Sequence, residues 1–199
     1  MTRSRQTADW GSRAGLAKIV PSSVAVGSGT GSASSLGTVT FSGCSSVSLN
    51  DVFSSTYRNY RLVCNFAQSA VPNYTSLRMR VSNADETGTN YRFAAIGYRS
   101  NNTAYNDYSG TTSTAWHDLG TTYSSASNVM FVLDIINSFE AMPTIASGKS
   151  LTYDTGSSGL LADVSYTGFH TQSISYTGIT LVSSGGTISG DVSVYGYTK

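Results

Sequence analysis

The sequence predicts an all-β fold, an antiparallel β-sandwich of jelly-roll type with an extended N-terminal arm. Three observations predict it. Ser and Thr together make up about three residues in ten and Tyr is abundant at 13, while Pro occurs only 3 times, a balance suited to strands and tight turns. The common surface residues of soluble helices are nearly missing: Glu occurs only at Glu86 and Glu140, and Lys only at Lys18, Lys149 and Lys199. Long amphipathic helices are therefore not expected. From residue 36 onward, short alternations of apolar and polar residues recur between Gly-rich breaks, with no helical period.

Residues 1–35 read as the arm. They carry Arg3, Arg5, Arg13 and Lys18 against one acid, Asp9, and their bulky apolar groups are Trp10, Leu16, Ile19, Val20, Val24 and Val26. Those side chains bury too little surface to offset the entropy of ordering the backbone alone. The segment is expected to be disordered or to fold against another chain, with Arg3, Arg5, Trp10, Arg13 and Lys18 as docking groups. Removal of residues 1–30 should then leave a folded body.

The body, residues 36–199, is long enough for one core. Strands are predicted at 37–42 and, after the Gly43 break, at 46–49. Over 60–66 the alternation is clearest: Tyr60, Leu62, Cys64 and Phe66 share one face, Arg61 and Asn65 the other. Residues 77–81 repeat the arrangement with Arg78 and Arg80 outward. Residues 83–90 form a turn by composition, and 90–98 place Tyr91, Phe93 and Ala95 on one side. Residues 100–127 read as a long polar stretch dotted with aromatics. The nearly continuous apolar run at 129–136 predicts a central strand buried on both faces. Further strands are expected at 150–153, 160–166, 174–182 and 187–197, with Gly-rich corners at 156–159 and 183–186. Eight to ten such strands favour a sandwich over a barrel.

The formal net charge is +1, and the basic excess sits in the arm. An acidic protein surface is a suitable target for it; nucleic acid is not expected as a partner, because the four cations lack aromatic spacing. No stretch approaches the ~20 apolar residues of a membrane span, and the N-terminus lacks the apolar core of a signal peptide, so no membrane partner is expected. Cys44 and Cys64 are the only cysteines. They read as buried thiols, with a bridge between adjacent strands open if their Cα atoms lie within about 7 Å.

No catalytic constellation emerges. His117 and His170 are the only histidines, and neither His-x-x-x-His nor Cys-x-x-Cys spacing occurs, so no metal or other cofactor is expected. Trp116-His117-Asp118 is the most enzyme-like triplet and reads as a loop tip. Glycoside hydrolysis needs two carboxylates across a cleft; Asp85 and Glu86 adjoin in a turn. Asp134, inside the apolar run, is either a buried acid with a raised pKa or a strand-end residue. The best binding surface is the stretch Tyr98, Arg99, Tyr105, Asn106, Asp107, Tyr108, continued by Trp116. Aromatic faces there suit stacking on a sugar or a partner side chain, and the polar groups suit directional hydrogen bonds.

Several segments together resemble the small structural proteins of tailed bacteriophages, particularly minor tail or fibre-like proteins of actinobacterial phages. They are Thr2-Arg3-Ser4-Arg5-Gln6-Thr7-Ala8-Asp9-Trp10, Val39-Thr40-Phe41-Ser42-Gly43, Val47-Ser48-Leu49-Asn50-Asp51-Val52-Phe53, Tyr57-Arg58-Asn59-Tyr60-Arg61-Leu62-Val63 and Ile188-Ser189-Gly190-Asp191-Val192-Ser193-Val194-Tyr195-Gly196. The likeness covers both ends of the chain and little of the middle. It implies a non-enzymatic virion component, assembled in the host cytoplasm. A β-sandwich would be displayed on the particle, attached by the N-terminal segment to other virion structural proteins and often assembled as a homotrimer. A capsid decoration or head-fibre protein is the neighbouring expectation. A carbohydrate-binding module contacting a host cell-surface glycan is the expectation from a different class.

Overall fold

A computed structural model of the chain describes residues 15–69, 73–101, 104–122, 128–154 and 160–198. Sixteen strands run through them: β1 (Leu16–Ile19), β2 (Ser23–Val26), β3 (Thr30–Ala33), β4 (Thr38–Cys44), β5 (Ser46–Asn50), β6 (Asn59–Gln68), β7 (Asn73–Val81) and β8 (Ala84–Asp85). The series continues with β9 (Tyr91–Arg99), β10 (Ala104–Ser113), β11 (Thr121–Thr122), β12 (Asn128–Ile136), β13 (Thr144–Asp154), β14 (Leu160–His170), β15 (Gly178–Ser183) and β16 (Ile188–Tyr197). No helix occurs among the described residues.

All pairings are antiparallel, in two sheets. The large sheet has ten strands in the order β10-β9-β14-β13-β12-β6-β16-β4-β3, with β1 also on β16; the small one has six, in the order β11-β7-β15-β5-β2, with β8 on β7. At their centre, β4-β16-β6-β12 belongs to one sheet and β5-β15-β7-β11 to the other, and the chain alternates between them. That is a jelly roll, the expected fold. Two hairpins widen the large sheet beyond it: β13 and β14 follow β12, and β9 and β10 extend the same edge.

Alternation decides what faces inward. Tyr60, Leu62, Cys64 and Phe66 of β6 are buried, as are Tyr91, Phe93 and Ala95 of β9. Between the sheets they meet Leu77, Met79, Trp116, Phe131, Ile179 and Leu181 in one apolar core. Aromatic edges lock it: Phe66 meets Phe131 at 6.1 Å and Tyr91 meets Trp116 at 5.6 Å between ring centroids, geometries that add to simple burial. One glycine is required by close approach: a Cβ on Gly148 would stand 2.0 Å from the Val132 carbonyl oxygen.

Three expectations change. The second half of the expected arm lies on the body: β1 pairs with β16, β2 with β5, and β3 with β4. Ile19, Val24 and Val26 pack against the core. The reason is that β4, β5 and β16 offer open edges, so residues 16–33 order by joining a ladder rather than by building a core of their own. The docking residues Arg3, Arg5, Trp10 and Arg13 lie outside the described residues. Lys18 lies over the Tyr195 ring, 5.7 Å from its centroid, and therefore docks on its own body.

The run at 129–136 is a central strand but is not buried on both faces: Val129, Phe131, Leu133 and Ile135 point inward, while Met130 is 44% exposed. Finally, the polar stretch 100–127 contributes an edge strand, β10, paired with β9. Cys44 and Cys64 are free and buried, and burial pushes the Cys64 thiol well up.

Candidate functional site

The outward face of the large sheet is the surface that the fold leaves unexplained. Register places side chains in rows across β9, β14, β13 and β12. In one row Tyr98 stands opposite Asp163, then Leu151, then Met130; beside it Leu161 stands opposite Tyr153. Three rows on from the first, Phe169 stands opposite Ile145, and Ile145 opposite Ile136. Ile96 (58% exposed), Tyr98 (60%), Met130, Ile145, Tyr153, Leu161 and Phe169 are all large apolar groups open to solvent on this one face. They fall into two groups divided by polar residues, among them the exposed Lys149 and Asp163. Scattered exposed apolar residues need no explanation, but this many on one sheet face mark an interaction surface.

Between the two apolar rows lies a polar trough of about 510 Å3, lined by Arg61, Asp134, Ser147, Lys149, Ser165 and Thr167 among others. Its charges are paired. Arg61 donates to both carboxylate oxygens of Asp134, from Nε at 2.8 Å and Nη2 at 2.7 Å, and the Tyr197 hydroxyl donates to the same group at 2.6 Å. The bidentate hydrogen bond from Arg61 holds the Asp134 carboxyl below its ordinary range. Asp134 is thus neither a raised-pKa acid nor a strand-end residue: it sits mid-strand on the outer face. The Tyr197 hydroxyl, half-buried beside that carboxylate, is pushed up to about 12. Lys149 and Asp163 pair at 3.1 Å.

The sequence-predicted binding stretch is partly brought together. Tyr98 is exposed on the outer face beside Leu161 and Asp163, and Arg99 is half-buried at the end of β9. Tyr105, Asn106, Asp107 and Tyr108 belong to β10; Asp107 is opposite Ile96 and Tyr108 opposite Ala95 in the backbone register, and their side chains lie outside the described residues. Trp116 is not a contact residue. It is fully buried, held by a two-way backbone bridge with Leu77, N to O at 3.0 Å and 2.9 Å. The indole ring fills the core where a Cβ on Gly168 would come within 2.9 Å of its Nε1.

The remaining titratable groups have structural partners. His170 is fully buried against Tyr91, 4.4 Å between centroids, with the Tyr176 hydroxyl 3.1 Å from its Nδ1. Burial lowers its pKa. Asp85 accepts from Arg80 and from the Thr180 hydroxyl, the latter at 2.6 Å, while Glu86 accepts from the Gly88 amide at 2.7 Å. These adjacent acids therefore organise the β7–β8 turn and do not face each other across a cleft. Arg80, 8% exposed, also donates to Asn50 and Ser48 at 3.0 Å each. Among the described residues no group of three or more His, Cys, Asp or Glu is placed to hold a metal ion. Sequence reasoning missed the outer face of β13 and β14; its signal was the unbroken apolar run of β12, which alternates in the fold.

No protein-family model matches the chain, and no curated protein matches it. Among solved structures, the SPRY domain of human HERC1 aligns over 84% of this chain and 97% of that one, at 9% identity and a TM-score of 0.28, a likeness too slight to carry any argument.

Proposed function

We propose that this chain is a non-enzymatic structural component of a phage virion, a minor tail or fibre-like protein whose sandwich packs against copies of itself or neighbouring structural chains. The observation that carries the reading is the apolar outer face of the large sheet. Ile96, Tyr98, Met130, Tyr153 and Leu161 form a field of the kind that obligate contacts bury. The flanking edge strand β10 contains neither Lys nor Pro over residues 104–113 but shifts register twice against β9, a device that blocks pairing at an edge, so the contact is assigned to the sheet face. The sequence resemblance supplies the setting, and a homotrimer burying this face is the favoured assembly.

The basic segment 1–14 is assigned attachment to the particle. It joins the body at Gly15, whose amide donates to the Thr198 hydroxyl at 2.6 Å and whose carbonyl accepts from the Thr198 amide at 2.9 Å. An antibody raised against the purified chain tests the reading on particles of the virus that encodes it. Gold label on the tail supports it, label on the head indicates a decoration or head-fibre protein, and unlabelled, chain-free particles refute both.

A further inference from the structure

A second concavity lies on the opposite side of β10 from the outer face, where the two sheets part. It holds about 210 Å3 between Tyr74 of β7, His117, and residues 109–113 of β10, with Phe93 beneath. Local sequence builds it. Between Gly110 and Ser113 the β10–β9 register shifts, so that two residues of β10 stand against one of β9. Such bulges re-aim side chains and gather beside binding sites. Gly110 permits the approach: a Cβ there would stand 2.5 Å from Phe93 Cε1. The wall opposite is fixed by the buried Trp116 next to His117.

The lining chemistry is unusual for this surface. Around the cleft are the hydroxyls of Ser109, Thr111, Thr112 and Ser113, one exposed aromatic ring and one imidazole, with no Asp, Glu, Lys or Arg. His117 Nδ1 is held by the Ser76 hydroxyl at 2.8 Å, and its Nε2 has no hydrogen-bond partner among the described residues. The Tyr74 ring meets the imidazole edge-on at 5.6 Å and is 38% exposed. Burial lowers the His117 pKa and favours the uncharged ring. No charged residue lines the cleft, and the two charges that act on His117, Asp118 and Arg78, are of opposite sign. A charged ligand would therefore lose its hydration here without a dedicated counter-ion, and a purely apolar one would leave the hydroxyls unpaired. A ligand with an apolar ring face and a rim of hydroxyls satisfies both walls.

We propose that this cleft binds one ring of a neutral glycan, with the sugar's apolar face on Tyr74 and its hydroxyls on His117 and the Ser and Thr side chains of β10. The volume is below the ~300 Å3 lower end for drug-sized ligands, which limits occupancy to a single ring. The inference stands on the cleft alone and not on the virion reading; particle incorporation and sugar binding are separate measurements.

The test uses the full chain and the methyl glycosides of glucose, galactose and N-acetylglucosamine, with glucuronic acid and glucosamine as charged probes. Saturation-transfer NMR should show at least one neutral glycoside bound, with a Kd on the order of 1 mM from its small size, and neither charged sugar. Tyr74→Ala should weaken binding about tenfold while Tyr74→Phe retains it. Thr111→Val combined with Thr112→Val should weaken it also, and Leu36→Ala, far out on an exposed turn, should not. Absence of binding by every neutral glycoside, equal binding of the charged sugars, or affinity unchanged in both Tyr74→Ala and His117→Ala would overturn the proposal.

Discussion

Replacing Ile96 and Leu161 together with Lys separates the fold from the assembly that the outer face is assigned. Full burial of such a side chain is worth roughly 1.5–3 kcal/mol. Ile96 is 58% exposed and Leu161 45%, so about half of that, ~1 kcal/mol each, is realised within one chain. The double variant should therefore lose at most about 2 kcal/mol, a Tm drop of roughly 4–8 °C, reduced by the Lys methylenes lying along the sheet. The other half is available only to a partner. In a contact using this face on both sides it amounts to about 4 kcal/mol over the two surfaces, before the cost of burying unpaired ammonium groups. Association should weaken by on the order of a thousandfold or more. Sedimentation velocity across a concentration series, with copy number in purified particles by quantitative mass spectrometry, reads both halves. A variant that melts as expected yet keeps its oligomer distribution and its copy number would refute the assignment.

Deleting residues 1–14 should leave the melting temperature nearly unchanged and abolish incorporation, whereas deleting 1–35 strips β1, β2 and β3 from their ladders and should destabilise the body by several kcal/mol; paired thermal melts distinguish the two. Trp116→Ala should cost about 3–5 kcal/mol by opening a cavity against Tyr91 and Gly168, measured by urea unfolding. Acid sensitivity follows from the histidines. His117 and His170 both lie below the ordinary 6.5 in the folded chain, so as pH falls through 6.5 the unfolded state takes up protons first. Stability is full above that value and declines below it. A second loss below 3.8 follows from the lowered Asp134. In Tm against pH, His170→Gln should flatten the first decline, and an unaltered slope would count against the buried imidazole as its source. Cys44 and Cys64 should resist a thiol reagent in the native protein and both react after denaturation, which a colorimetric titration counts.

Much of the fold was legible because a half-buried strand writes its two faces in alternate positions. Tyr60, Leu62, Cys64 and Phe66 were identified as one face, and all four are buried. The same logic failed at 129–136, since Met130 and Val132 are as apolar as their inward neighbours. Sequence alone does not distinguish apolar side chains that meet a core from those left for a partner. The binding stretch was half legible. Tyr98 is on the surface, but Trp116 reads from sequence as a loop tip because its anchor, Leu77, lies far away in the chain and nothing local marks a long-range backbone bridge. Residues 16–33 read as part of the arm because they lack a core of their own. They order through edges of β4, β5 and β16, which their own composition does not reveal.

The position of β16 bears on how the chain reaches its fold. It lies between β6 on one side and β4 and β1 on the other, so the last of the described strands in chain order fills an interior position of the large sheet. Until it arrives, β6 has one free edge and β4 has no partner on that side, and both first and last strands must find each other across the whole sequence. Folding should then be slow, as non-local β pairing dictates. Nascent chains arrested before residue 188 should expose two unpaired edges to aggregation. Loss of β16 would therefore be as damaging as loss of the core itself.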